Sequence, residues 1–166
     1  VALRPQAKGR FVLDETADTH VMVSTVTGIA PFISMIRAYV HGYYWSGQKT
    51  FQKTFYVFQG SSYVDEFGYY DELTRLNDSG KIVYVPTISR PQEPKNKSWK
   101  GITGRVNVIL DEWFKKFTIT SGGKTAVYLC GNKGMIDHLG NKREKPGKPL
   151  GTLIQAGFKT REEIFF

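Results

Sequence analysis

A single cysteine, Cys130, stands in this chain of 166 residues, so no internal disulfide can form and nothing argues for an oxidising compartment. Cytoplasm is the expected location. Histidine is nearly as scarce, and none of His20, His41 and His138 lies in a pattern that would activate a thiol, which argues against a cysteine hydrolase. No metal site is expected. No apolar run approaches the roughly 20 residues of a membrane span, and the opening VALRPQAKGRF lacks the apolar centre of a signal peptide, so a soluble chain is expected. Internal repeats and low-complexity segments are also missing.

The complete dinucleotide fingerprint G-x-G-x-x-G is missing too. In residues 19–37, THVMVSTVTGIAPFISMIR, Val26 and Pro31 occupy its outer positions and only Gly28 is left. What stands there is a short apolar run, a glycine turn, a proline and then apolar residues at helical spacing. Residues 20–24 fit a buried strand, Thr27 and Gly28 a turn, and Pro31 the first position of a helix, where no amide hydrogen is needed. A helix N-terminus carries roughly +0.5 elementary charge and unpaired N–H groups, so a diphosphate would be held there mainly by backbone. An ordinary strand-to-helix connection looks the same, and this segment alone does not choose between the two.

The chain is 40% hydrophobic and 14% aromatic, enough for one domain with a substantial core and too short for two. Its formal net charge of +8 and pI near 9.5 point to an anionic partner: a phosphorylated cofactor, an acidic protein or nucleic acid. Much of the excess lies in residues 142–148 (KREKPGK) and 95–100, which read as loops. Basic loops are more often solvated surface than binding sites, so nucleic acid is not an expected partner.

Beyond the opening unit, residues 54–60 (TFYVFQG) read as a second strand, and residues 65–76 as a helix with Phe67, Tyr70, Leu73 and Leu76 on one face. Residues 81–88 (KIVYVPTI) fit a third strand, 106–117 a helix with Val106, Ile109, Leu110 and Trp113 on one side, and 125–130 (TAVYLC) a further buried strand. The order is β-α-β-α-β-loop-α-β-α. It predicts a doubly wound α/β fold, Rossmann-like, with a mainly parallel five-stranded sheet and helices on both faces. Ligands of such folds bind outside the carboxyl ends of the strands. Gly28, Ser89-Arg90 and Cys130-Gly131 each follow a strand, so three polar or flexible turns converge on one edge.

Ser89-Arg90 joins a hydroxyl to a fork of donors, which suits a phosphate monoester better than a ribose hydroxyl; an acidic residue there would suggest NAD, and arginine suggests NADP. Lys97 would add a second cation, and Trp99 a flat ring that could stack on adenine or cap the core beneath a loop. Cys130-Gly131 places a small thiol before a residue that lets a ligand ring approach the backbone, although free cysteines are usually small buried hydrophobes. The terminus, REEIFF, carries two aromatic rings that either dock as a last strand or stand where a flat cofactor stacks.

Together, KGRFVLDE, TGIAPFISMIR, SRP followed by K-x-W, GITGRV, YLCGNKGM and EIFF resemble the NADP(H)-binding domain of the ferredoxin-NADP reductase family, in family order across nearly the whole chain. The resemblance implies that Thr27, Gly28 and Pro31 hold the pyrophosphate, and that Ser89, Arg90, Lys97 and Trp99 form the site for the adenosine 2′-phosphate and adenine. It implies that Cys130 and Gly131 line the nicotinamide pocket, with Cys130 assisting hydride transfer to or from flavin and Glu163 near that centre, and that Met135 is a further cofactor-binding residue. Phe165 takes the place of a terminal tyrosine that stacks on FAD, and Phe166 resembles the extra aromatic of bacterial members. Val26 departs from the glycine usual at its position. The family's flavin-binding domain would precede this one, making residues 1–18 a residual linker and 19–166 the NADP(H)-binding domain, inactive without its flavin partner. Ferredoxin or flavodoxin are the implied protein partners. A reductase component of an oxygenase system, or a stand-alone nucleotide-binding or docking module, are the alternatives.

Overall fold

The computed structural model describes residues 11–42, 53–122, 124–140 and 150–164. Its centre is a fully parallel sheet of six strands: β1 (Thr19–Thr25), β2 (Thr54–Ser61), β3 (Val83–Ile88), β4 (Ile102–Thr103), β5 (Thr125–Gly131) and β6 (Thr160–Ile164), in the spatial order β4-β3-β2-β1-β5-β6. β1 and β5 are buried along almost their whole length, as the near-continuous apolar runs of a parallel sheet covered on both sides require. Met22 lies in register with Val57 on one side and Tyr128 on the other.

Alternate residues of these strands feed two cores. Met22, Phe55, Val57, Tyr84 and Tyr128 meet α1 (Ile29–Val40) and α2 (Tyr70–Asp78) on one face. Val21, Val23, Phe58, Val85 and Leu129 meet α3 (Val106–Lys116), α4 (Lys133–Leu139) and α5 (Thr152–Gln155) on the other. The chain builds outward from β1 to β4, then returns to add β5 and β6 beyond β1. The order therefore reverses between β1 and β5, the point at which a crevice opens at the carboxyl edge.

The doubly wound α/β architecture is the expected one, with six strands in place of the expected five, the two-residue β4 standing at one edge and β6 at the other. The helix expected over residues 65–76 is instead a 3-10 turn (Val64–Glu66) followed by α2. Glu66 folds its carboxylate back onto the Ser61 hydroxyl and the amides of Ser62 and Tyr63, which stops the helix, and Tyr69 takes a left-handed φ of 59° before α2 starts. Pro31 is the third residue of α1 and not the first; that position also lies within the first turn, where no amide partner is lost.

At the opposite, amino edge of the sheet, residues 11–18 pack onto the domain, with Leu13 and Ala17 buried and Phe11 against Phe32 and Tyr128. The Tyr128 hydroxyl accepts the Asp14 amide at 2.7 Å and lies 3.1 Å from His20 Nδ1. Lys53 donates to the carbonyls of Glu15 and Ala17, and Arg161 pairs with Asp14 at 2.7 Å. His20, fully buried and stacked on Phe55, is pushed down to about 4 by burial first and by the Lys53 ammonium second, so its ring is neutral.

Candidate functional site

The carboxyl edge is assembled around a seam between β1 and β5. A Cβ on Gly28 would lie 2.1 Å from the Cys130 carbonyl oxygen, and one on Gly131, which has φ +134°, would lie 2.3 Å from Thr25 Oγ1. Only glycine fits at either place. The Thr25 hydroxyl accepts the Asn132 amide at 2.7 Å, closing the seam, and Asn132 caps α4 through the Gly134 amide. Between Thr25 and Gly28 the chain makes a 3-10 turn in which Val26, β-branched and partly exposed, is held at φ +44°. No side chain caps the N-terminus of α1 behind it, and its first turn carries no acid.

A cleft of about 480 Å³ opens beside this seam. The ends of β1 and β2 contribute Thr25, Val26, Ser61 and Ser62; the end of β3 contributes Ser89 and Arg90. The start of α3 adds Arg105 and Asn107, and α4 adds Met135 and His138. Among the described residues no aspartate or glutamate lines the cleft, while two arginines and three serines do. Arg90 donates to the Tyr63 hydroxyl at 2.9 Å and its guanidinium carbon lies 5.5 Å from that ring's centre. A cleft with fixed guanidinium donors and no carboxylate favours an anion carrying several oxygens.

Of the residues singled out from the sequence, Ser89, Arg90 and Met135 line this cleft together. Thr27 is exposed on the turn, Gly28 is buried in the seam, and Pro31 is half-buried in α1. Lys97 is exposed on the loop after β3. Trp99 is half-buried, donating to the Ile102 carbonyl at 2.9 Å and packing on Phe67 and Tyr70. Cys130 and Gly131 are buried at the end of β5, with Glu163 of β6 in register beside Cys130. Burial, and then the Glu163 carboxylate, push the Cys130 thiol up to about 12, so it is a neutral thiol and not a thiolate nucleophile. Phe165, Phe166 and the basic segment 142–148 lie outside the described residues.

Ser61, Ser62, Arg105, Asn107 and His138 were not anticipated. The rule that located Ser89 finds the first two as well, since both follow Gly60 at a strand end. Arg105 stands between a glycine and the first turn of a helix, where a side chain is carried to a site edge.

The family model described as "Oxidoreductase NAD-binding domain" matches residues 22–140. Ferredoxin--NADP reductase, root-type isozyme, of Nicotiana tabacum is 32% identical over 121 residues, covering 71% of this chain and 30% of that protein. Ferredoxin--NADP reductase of Thermosynechococcus vestitus is 29% identical over 137 residues, covering 79% and 33%. The chain thus spans about a third of the length of these curated relatives. Among solved structures, the cytochrome b5 reductase domain of Ulva prolifera nitrate reductase superposes with a TM-score of 0.63 at 17% identity, over 89% of this chain and 50% of that one. The ferredoxin reductase in carbazole 1,9a-dioxygenase gives a TM-score of 0.63 at 17% identity, over 94% and 40%. Among the described residues no helix is long and apolar enough to cross a membrane.

Proposed function

The chain belongs to the oxidoreductase NAD-binding domain family, and from that premise we propose that its cleft takes NADP(H) for a flavin-dependent ferredoxin- or flavodoxin-NADP reductase. The two arginines of the cleft, with no acidic side chain in its lining among the described residues, carry this reading. An acid at the end of a nucleotide-binding strand selects a free ribose hydroxyl, whereas Arg90 and Arg105 here present forked donors to a phosphate monoester. Ser61, Ser62 and Ser89 add hydroxyls on the same side, and Lys97 supplies a further cation from the loop above. Trp99 offers an edge for adenine. The N-terminus of α1, which no side chain caps, is entered through Thr27 and Gly28 and stiffened by Pro31, and suits the diphosphate.

When bound, nicotinamide exchanges a hydride with FAD carried by a flavin-binding domain, and the cofactors supply that chemistry. The protein's own part is placement. Cys130, neutral and fully buried at the end of β5, is proposed to border the nicotinamide ring from beneath that strand end, and Gly131 keeps the backbone beside it bare. Glu163 brings a carboxylate to the same strand ends, and Met135 closes the apolar side. Phe165 is proposed to stack at the flavin. A net charge of +8 suits an acidic one-electron carrier as protein partner, and the lone cysteine suits a cytoplasmic setting.

Calorimetric titration with NADP+ and NAD+ tests the assignment. NADP+ is expected to bind more tightly, and Arg90→Ala or Arg105→Ala to cost it about 1.5–3 kcal/mol, a decade or more, with little change for NAD+. Equal affinity of the unaltered chain for the two nucleotides refutes the reading.

A further inference from the structure

Asn96 is 2% exposed although its neighbours Lys95 and Lys97 are exposed. Burying an amide in a surface loop is costly unless its polar atoms are paired. Its side chain ties the start of its own loop to the loop after β2. Its Nδ2 donates to the carbonyls of Ser62 at 2.9 Å and Arg90 at 2.7 Å, and its Oδ1 accepts the Val64 amide at 2.9 Å. These are the segments following β2 and β3, the same two that carry Ser61, Ser62, Ser89 and Arg90 into the cleft.

The consequence concerns Arg90 at both of its ends. Its main chain is held directly by Asn96. Its guanidinium rests on Tyr63, and Tyr63 lies between Ser62 and Val64, the two residues whose backbone Asn96 grips. One amide thus fixes where Arg90 starts and where its side chain is parked. A guanidinium has five N–H donors, so the contact with Tyr63 leaves others to face a ligand. An arginine already held in place gives up less rotamer entropy when it pairs with a phosphate.

We propose that Asn96 is a positioning residue: it sets Arg90, through its backbone and through Tyr63, so that the cleft distinguishes a nucleotide bearing a phosphate monoester on the adenosine ribose from one without it. The proposal rests on the reading of the cleft as an NADP(H) site.

The test measures affinities for NADP+ and NAD+, together with the thermal midpoint, for the unaltered chain, Asn96→Ala, Tyr63→Phe, Arg90→Ala and the double variant Asn96→Ala/Arg90→Ala. Asn96→Ala is expected to weaken NADP+ about tenfold and NAD+ less than about twofold, because only the charge-assisted contact depends on Arg90. Tyr63→Phe, which removes one hydroxyl and keeps the ring, should lower the NADP+/NAD+ ratio in the same direction by about two- to threefold. With Arg90 already absent, removing Asn96 should leave the ratio where Arg90→Ala put it. Equal losses for both nucleotides in Asn96→Ala, with an unchanged ratio in Tyr63→Phe, overturn the proposal and leave Asn96 as a loop tie. A preference retained in both variants overturns it too, with the NADP(H) reading intact. If the unaltered chain shows no preference, that reading falls and the proposal falls with it.

Discussion

The two edges of the sheet are built on opposite plans. At the amino edge the chain spends its polar groups on itself: Tyr128 on Asp14 and His20, Lys53 on two carbonyls, Arg161 on Asp14. At the carboxyl edge no side chain caps the N-terminus of α1, and Arg90, Arg105 and three serines face a cleft that no acidic side chain lines among the described residues. The same six strands therefore end in a sealed layer on one side and an open array of donors on the other. What separates the edges is where their polar groups lie: at the amino edge they turn inward on one another, whereas at the carboxyl edge Arg90, resting on Tyr63, and Ser61, donating to Glu66, still line an open cleft.

The largest expected effect comes from forcing the seam apart. Gly28→Ala puts a methyl 2.1 Å from the Cys130 carbonyl, and backbone cannot yield there, so urea denaturation should show a loss of about 4 kcal/mol or more, or no folded protein at all. Gly122→Ala, where nothing lies within 4 Å, is the control and should stay within about 0.5 kcal/mol. Similar values for the two would mean that the seam is not a contact. Next is the sealed edge under acid. His20 is depressed from 6.5 to about 4, so the unfolded chain takes up its proton first; stability is full above pH 6.5 and falls as the pH drops towards 4, by up to about 3 kcal/mol. Urea midpoints across that window should slope in the unaltered chain and flatten in His20→Phe; an unchanged slope in the variant would assign the acid loss elsewhere.

A smaller effect is expected at the open edge. Val26→Gly removes a β-branched residue from φ +44°, and strain of that kind is worth on the order of 1 kcal/mol, partly offset by glycine's greater freedom when unfolded. Removing the side chain from the cleft should also tighten NADP+ about two- to fivefold, since backbone then meets the ligand directly. A variant that loses both stability and affinity would make Val26 a packing residue. The smallest change belongs away from both edges: Arg37→Ala breaks a two-pronged contact with Glu72, at 2.8 and 2.6 Å but half exposed, and should shift the urea midpoint only slightly, the shift vanishing in high salt and nucleotide binding staying unaltered.

The strands buried on both faces were legible in the sequence because their composition has no alternative use: residues 20–24, 54–60 and 125–130 each fall within an observed strand. β4 and β6 were not. A two-residue strand leaves no pattern, and TREEI alternates polar side chains with no apolar run to betray pairing with β5. The helical spacing of Phe67 and Tyr70 was real but served another end, since the Glu66 carboxylate breaks the helix and leaves both rings packed on each other and on Trp99. At the site, the strand-end rule put Ser89 and Arg90 in the cleft, while Arg105 was passed over because it precedes a helix instead of following a strand. The reason for Gly28 could not be read from the turn alone. It is the end of β5, at Cys130, that forbids a side chain there, and such proximity is a property of topology.

The seam also bears on how fast a ligand can enter. With Gly28 pressed on Cys130, Gly131 on Thr25, and the Thr25 hydroxyl tied to Asn132, the floor of the cleft has no slack to open like a hinge. Docking onto such a floor is a rigid event, so association should follow a single exponential whose rate rises linearly with nucleotide concentration, with no plateau from a prior opening step. Amide exchange along β1 and β5 should be equally slow with and without nucleotide. Any quickening or slowing on binding would be confined to the loops above, where Arg90 and Tyr63 sit.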